Sequence, residues 1–369
     1  MIYPDDFINK VITGDCMEIL KQIPDNSIDT VITDPPYGLS DHNEKLIRTT
    51  LSKWLNGEED YIPKTKGFMN KSWDAFVPPP AVWKEIFRVM KPGATILVFA
   101  GSRTYDLMTI SLRLAGFEIK DTLMWLYGSG FAKATDISKQ IDKKENEKAK
   151  LWNGYKSHGL KPAYEPIIMA IKPNDGSYAE NALKWGVAGL NIDGSRVNET
   201  PQGRFPANVI IDEETAKMID QQSSWASRFF YCAKASKNER EFGLDDLPYK
   251  IGGGMKGTET QTLLTGSGNI RNNLRKNHHP TVKPLKLIEY LCKLTKTPTG
   301  GIVLDPFAGS GTTAMACIIT NRPFILIEKD PEYSLIAQKR IEAISKTHQP
   351  QLIKEVNNEN HLPSPQIQP

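Results

Sequence analysis

Two clusters of residues have the types and spacing to do chemistry together. The first is Asp34-Pro35-Pro36-Tyr37, which follows the apolar run Val31-Ile32-Thr33. An apolar strand that ends on a carboxylate and two prolines makes a stiff turn at the C-terminal edge of a sheet, where open α/β sheets bind ligands. Such a turn offers two hydrogen-bond acceptors: the Asp34 carboxylate and the Pro35 carbonyl, which has no competing donor beside it because Pro36 lacks an N–H. Two acceptors suit an exocyclic amine, whose lone pair is delocalised into its ring until both N–H bonds are held and the nitrogen is turned toward an electrophile. Tyr37 adds an aromatic face on which an extruded base can stack. Alone, the motif is equally a capped turn with stiffening prolines and a packing tyrosine.

The second cluster is Gly301-Ile302-Val303-Leu304-Asp305-Pro306-Phe307-Ala308-Gly309-Ser310-Gly311-Thr312-Thr313. A buried strand runs into a glycine turn that opens a helix, the layout by which an α/β fold brings its backbone against a nucleoside. Glu328, seventeen residues beyond Gly311, ends the next apolar run and can accept from both hydroxyls of a ribose. Gly309 to Ala314 also satisfies the dinucleotide pattern, so an NAD-dependent oxidoreductase is a second reading. Asp305 speaks against it: an acid at that lip repels a pyrophosphate but suits the ammonium of a methionine moiety.

In this order, with a long segment between them, the two clusters resemble those of the beta-type amino DNA methyltransferases of bacteria and their phages. The resemblance covers about residues 9 to 345. It implies an α/β, Rossmann-like S-adenosylmethionine-dependent methyltransferase fold with permuted motif order and an inserted target-recognition region. Asp34, Pro35, Pro36 and Tyr37 are then catalytic. Asp305, Pro306, Phe307, Gly309, Gly311, Thr312 and Glu328 hold S-adenosylmethionine. Asp15, in Gly14-Asp15-Cys16, takes the cofactor's adenine, and His279-Pro280-Thr281-Val282-Lys283-Pro284 closes over the methionine end, with Thr281 at the cofactor and Lys283 facing its carboxylate. Lys91-Pro92-Gly93 also fits. The reaction implied is flipping of a base from double-stranded DNA and direct displacement by its amine, without a covalent enzyme intermediate. The absence of a Pro-Cys motif agrees, and neither Cys16 nor Cys232 is a nucleophile candidate. An Asp at the head of the first motif favours adenine N6 over cytosine N4 by family habit. The resemblance admits a homodimer, and a cognate restriction endonuclease that makes no direct contact.

The elements that must position these residues can be read coarsely. Strands are expected over Lys10 to Thr13, Ile28 to Thr33, Ala94 to Ala100, Phe117 to Tyr127, Ile167 to Ile171, Ile302 to Leu304 and Phe324 to Ile327. Helices are expected over Pro80 to Met90, closed by Pro92-Gly93, and over Tyr105 to Ala115, Pro284 to Leu294, Thr312 to Thr320 and Pro331 to Ser345. Residues 1–129 read as the catalytic half and 279–348 as the cofactor half. Residues 130–278 break the rhythm and read as the target-recognition insertion, and 349–369 as a disordered tail. Within the insertion, the stretches around Tyr164-Glu165-Pro166, Gly203-Arg204-Phe205 and Ser227-Arg228-Phe229 resemble phage-encoded members without an assignable chemistry. Trp152, Trp185 and Trp225 read as packing.

Charge and composition set the frame. The chain of 369 residues is 39% hydrophobic and carries a net charge of only +3. Between Lys250 and Asn277, five basic residues stand against one acid in a glycine-rich stretch, the composition of a loop that tracks phosphates. Lys256, Arg271, Arg275 and Lys276 there, with Arg204 and Arg228, are the candidate DNA contacts. No run is long and apolar enough to span a membrane, and Met1 to Asp6 lacks signal-peptide grammar, which places the chain in the cytoplasm, at the nucleoid. Four cysteines without a Cys-x-x-Cys pair, and the lone pair His278-His279, predict neither disulfides nor a metal.

Overall fold

The protein is described here from a computed structural model over residues 1–40, 42–64, 74–128, 130, 134–143, 147–197, 202–223, 225–233, 238–251 and 274–356. Its β-branched runs form β1 (Lys10–Thr13), β2 (Ile28–Thr33), β3 (Met90–Phe99), β4 (Glu118–Leu126), β5 (Tyr164–Ile171), β6 (Val209–Asp212) and β7 (Tyr231–Ala233). Beyond them lie the short β8 (Lys250–Ile251) and β9 (Leu274–Arg275), which pair with each other, then β10 (Val303–Asp305) and β11 (Phe324–Glu328). All but β8 and β9 join one nine-stranded sheet in the order β1-β11-β10-β2-β3-β5-β4-β6-β7. Only β5 runs against its neighbours β3 and β4, so the sheet is mainly parallel, as expected.

The helices are α1 (Cys16–Leu20), α2 (Glu44–Leu55), α3 (Pro80–Val89), α4 (Tyr105–Leu114), α5 (Ile137–Asp142), α6 (Tyr178–Trp185), α7 (Glu213–Gln222), α8 (Leu285–Leu294), α9 (Thr312–Ile319) and α10 (Pro331–Val356). Successive side chains of a strand point to opposite faces, and here each face has its own core. Val31, Ile96 and Val98 pack with Trp54, Trp83, Ile86 and Met108, from α2, α3 and α4. Ile32, Leu97 and Phe99 pack with Leu287, Leu291, Ala314 and Cys317, from α8 and α9. Helices on both faces of a parallel sheet make this the expected doubly wound α/β architecture.

Several expectations are corrected. Pro92-Gly93 does not close α3, which stops at Val89; the pair lies inside β3. There Asn181 of α6 donates to the carbonyls of Pro92 (2.9 Å) and Val187 (2.6 Å), and Gly93, at φ +76°, leaves room for its amide. Within residues 130–278, β5, β6 and β7 join the main sheet. β6 and β7 escape sequence reading because four and three residues show no periodicity. Helix α10 runs to Val356, past Ser345 and through Pro350 into the stretch expected to be disordered. Residues 357–369 lie outside the described residues. The half-buried Trp185 packs against the core, Trp152, 42% exposed, meets the Tyr155 ring edge-on at 5.4 Å, and Trp225 is 73% exposed. Among the described residues no helix is long and apolar enough to cross a membrane, and no group of side chains could hold a metal.

Register carries one further consequence for the site. Thr33, Val98, Ile168 and Thr122 stand in one row across β2, β3, β5 and β4. β6 first pairs at Met124, two residues further toward the edge where β2 ends. The β6 ladder therefore begins near the level at which β2 ends, four strands away from it.

Candidate active site

β2, all of whose residues are buried, delivers Asp34 to the C-terminal edge of the sheet. The chain then folds Tyr37 back so that its hydroxyl donates to Asp34 Oδ1 (2.7 Å) and reaches Glu165 Oε2 (3.2 Å). The turn is held from outside: Thr104 Oγ1 donates to the Tyr37 carbonyl (2.6 Å), and Asp74 Oδ1 accepts from the Gly38 N–H (2.8 Å). Gly38 sits at φ +62°, where a Cβ would come within 2.7 Å of the Val77 nitrogen, so the turn requires glycine.

The remaining oxygen of Asp34, Oδ2, accepts from Lys283 Nζ at 2.6 Å, and the same ammonium lies 3.5 Å from Glu165 Oε2. Lys283 stands at the entrance to α8 and is buried. The sequence reading turns it toward a cofactor carboxylate; here it neutralises Asp34 instead. Burial penalises its ammonium, yet Asp34 and Glu165 outweigh that and hold its pKa above the ordinary lysine value. Burial, then the two carboxylates, push the Tyr37 phenol well above its usual range, so it remains a donor. Glu165 has no assignable chemistry in the sequence alone. The signal available is a glutamate at the start of a strand that is otherwise apolar.

β10 is the immediate neighbour of β2, and its last residue, Asp305, is fixed from both sides. Thr33 Oγ1 (2.7 Å) and the Phe307 N–H (3.1 Å) donate to Oδ1, and Thr313 Oγ1 (2.6 Å) to Oδ2. Burial pushes its carboxyl up to about 6 despite these bonds. Asp305 therefore anchors the loop that it opens; Pro306 behind it is buried. Gly309 (φ +52°) and Gly311 (φ +78°) turn the chain into α9, which begins at Thr312. A Cβ on Gly309 would meet the His279 ring at 2.8 Å, which makes the loop a cradle that side chains would fill.

Glu328, at the end of β11, accepts from the N–H groups of Gly309 (2.7 Å) and Asp330 (2.8 Å), one on each oxygen. Each oxygen keeps a second lone pair, which is what two ribose hydroxyls require. Burial lifts its carboxyl to about 7. Asp15, after the neighbouring β1, caps α1 through the Met17 N–H (3.0 Å) and pairs with Lys329 (2.8 Å). Thr281, Lys283, Phe307, Gly309 and Thr312 line one cleft with Asp34 and Asp305. Glycine cradle, carboxylate on a neighbouring strand and flanking aromatic fit a nucleoside cofactor.

Two buried groups hold this half together, Arg340, which sequence reasoning missed, and His279, which it placed in the segment that closes over the cofactor. The fully buried Arg340 of α10 donates through Nη1 to the Ser310 carbonyl (2.6 Å), Ser310 Oγ (3.1 Å) and Thr312 Oγ1 (3.2 Å), clamping the loop. His279 packs edge-on against Tyr333, with ring centroids 4.6 Å apart, and its carbonyl accepts from Arg240. Burial, reinforced by Lys283, drops the imidazole to about 3, so it is neutral.

The candidate DNA contacts are not gathered at Asp34. Arg204 and Arg228 precede β6 and β7, four and five strands from β2, and Arg204 Nη1 donates to the Arg228 carbonyl (3.2 Å). Arg275 lies in β9, and the Lys276 ammonium donates to the Asp245 carbonyl (2.9 Å) and lies over the Tyr249 ring. Lys256 and Arg271 fall outside the described residues.

Known proteins resemble this chain in sequence over most of its length. A DNA methylase family model, that of the N6/N4 methyltransferases, matches residues 28–339. The chain is 25% identical over 351 residues to the type II methyltransferase M.HindIII of Haemophilus influenzae, covering 90% of this chain and 95% of that one. It is 24% identical over 345 residues to M.HinfI, also of Haemophilus influenzae, covering 92% and 70%. Among solved structures, the PvuII DNA methyltransferase (cytosine-N4-specific) superposes with a TM-score of 0.49 at 16% identity, over 93% of this chain and 92% of that one. The M1.HpyAVI–SAM complex gives 0.42 at 18% identity, over 90% and 98%. With most of its length matched by the family model and both motifs built into one cleft, the chain belongs to the N6/N4 DNA methyltransferases of the beta type.

Proposed function

We propose that this protein methylates the exocyclic N6 amine of adenine in duplex DNA, with S-adenosylmethionine as donor. The observation that carries the reading is the adjacency of β2 and β10, which sets Asp34 and the Asp305 to Thr312 loop side by side on one edge of the sheet. Bound there, S-adenosylmethionine supplies an electrophilic methyl group. Glu328 takes its ribose hydroxyls, Asp15 the adenine end, and the glycines of the loop let the backbone approach. Asp34 and the Pro35 carbonyl accept the two N–H bonds of the flipped adenine, freeing the nitrogen lone pair for attack, and Tyr37 supports the ring. The product amine sheds its extra proton toward Asp34. The β6–β7 end of the sheet, with residues 130–278 generally, contacts the DNA and reads the target. Adenine is preferred to cytosine because an Asp heads the first motif.

The test is to incubate the protein with labelled S-adenosylmethionine and unmodified genomic DNA and to map the modified bases by sequencing. N6-methyladenine in one sequence context is the expected result. N4-methylcytosine would overturn the choice of base, and absence of label would overturn the reading itself.

A further inference from the structure

Lys283 occupies the oxygen that the reaction requires. Of the two acceptors on Asp34, Oδ1 is taken by the Tyr37 hydroxyl at 2.7 Å and Oδ2 by the Lys283 ammonium at 2.6 Å. Each oxygen keeps a second lone pair, but an amine donating to Oδ2 would share that oxygen with the Lys283 ammonium, and a charged donor already drawing on it weakens the new bond. A Lys283 side chain only 8% exposed cannot simply lose its counter-ion, because a buried ammonium without a partner is strongly destabilising. The structure holds a second anion within reach: Glu165 Oε2, 3.5 Å from the same ammonium, too long for a hydrogen bond but short enough for an ion pair. The Tyr37 hydroxyl shows the same asymmetry, 2.7 Å from Asp34 and 3.2 Å from Glu165. Both donors lean on Asp34 and leave Glu165 under-served.

We propose that Lys283 is a transferable counter-ion, which covers Asp34 until the target base arrives and then passes to Glu165. The inference rests on the reading of this site as an amino methyltransferase. Closing 3.5 Å to hydrogen-bonding distance needs a shift of under about 1 Å, within the freedom of a four-carbon side chain whose backbone is fixed at the start of α8. The transfer keeps two carboxylates, one ammonium and one phenol hydrogen-bonded throughout, so base entry exchanges partners without stranding a charge. Glu165 is a positioning residue: it receives Lys283 and, through it, decides whether Asp34 is open.

The experiment uses the full chain and a duplex bearing its mapped site, with 2-aminopurine in place of the target adenine, or pyrrolocytosine if the mapped base is cytosine. Fluorescence of the probe, read without methyl donor, reports the flipped base. Glu165→Gln keeps Lys283 on Asp34, so the flipping signal should fall at least tenfold while the thermal midpoint stays close to that of the wild type. Lys283→Met added to Glu165→Gln removes the obstruction and should restore most of the signal. A wild-type signal in Glu165→Gln, or a double variant as impaired as the single one, overturns the proposal. Should Glu165→Gln not fold, Glu165→Asp, which keeps the charge but withdraws it from Lys283, must show a reduced signal, and a wild-type signal there overturns the proposal equally. If the wild-type protein methylates no base, the functional reading fails on its own account; if it methylates and flips but the variants match it, only the counter-ion transfer fails.

Discussion

The hydroxyl of Thr33 donates to the carboxylate of Asp305 across 2.7 Å, although 272 positions separate them in the chain. This bond ties the last residue of the catalytic strand to the first residue of the cofactor loop. Thr33→Val keeps the shape and removes the donor, leaving a buried carboxylate with one partner fewer. Losing a hydrogen bond to a charged group should cost roughly 1.5–3 kcal/mol, and Thr33→Ser should recover most of it. Urea unfolding of the three proteins measures both values; equal midpoints for Val and wild type would count against the tie.

Asp34→Ala removes the acceptor on which amine presentation depends. Turnover should fall by roughly 10²–10³-fold or more, by analogy with the loss of one preorganised catalytic hydrogen bond. Binding of S-adenosylmethionine, followed by calorimetry, should change little, because the loop and Glu328 are untouched. Unchanged turnover would remove Asp34 from the centre.

At Gly311, φ +78° and a Cβ that would approach Ala337 Cβ at 2.8 Å act together. Gly57 has φ +94° and open space around it. Gly311→Ala should therefore lower stability by more than Gly57→Ala, which carries only the backbone cost of about 1–2 kcal/mol. The difference, read from denaturant midpoints, is the cost of the clash between the added methyl and Ala337 of α10.

Glu328 titrates near 7 in the fold, above its ordinary 4.5, because burial disfavours its charge. Between those values the folded chain holds a proton that the unfolded chain has lost. Its contribution to stability is thus complete below about 4.5 and is lost as pH rises through 7. Binding of the ribose runs the other way, since the ionised carboxylate is the better acceptor, and should tighten over the same interval. Glu328→Gln should remove both contributions, leaving in stability the opposed slopes of Asp305, raised to about 6, and of His279, held near 3 in the fold against 6.5 when unfolded. Thermal midpoints and cofactor titrations from about pH 5 to 8.5 provide the comparison.

If Arg204 and Arg228 each neutralise one phosphate, replacing both by Ala should reduce the slope of log affinity against log salt by about 1.8. Filter binding to a non-specific duplex at several salt concentrations measures it. An unchanged slope would place the DNA elsewhere on the molecule.

Much of the site could be read from the chain because it is local. Asp34 to Tyr37 and Asp305 to Thr312 each run from a strand end through a turn toward the next element, and their chemistry is written in consecutive residues. The remainder is brought from afar by folding. Glu165 meets Tyr37 from 128 positions away, Arg340 reaches Ser310 from the far side of α9, and Lys283 closes on Asp34 across 249 positions. The strands β6 and β7 were hidden for another reason: segments this short are strands only because β4 offers an edge to β6 and β6 offers one to β7. Pro92-Gly93 shows the converse, a local stop signal overridden because the Asn181 amide satisfies the Pro92 carbonyl inside a strand.

The place of β1 at the margin of the sheet bears on how the protein is made. Its one neighbour, β11, pairs Ile325 with Lys10 and leaves the ribosome long after it. At synthesis rates of about 5–20 residues per second, the first strand waits roughly 15–60 s for its partner, while β2, β3, β5 and β4 are already free to assemble. During that interval β1 is an unpaired edge. Its length of four residues and the lysine at its start are what keep a waiting strand from joining the wrong chain.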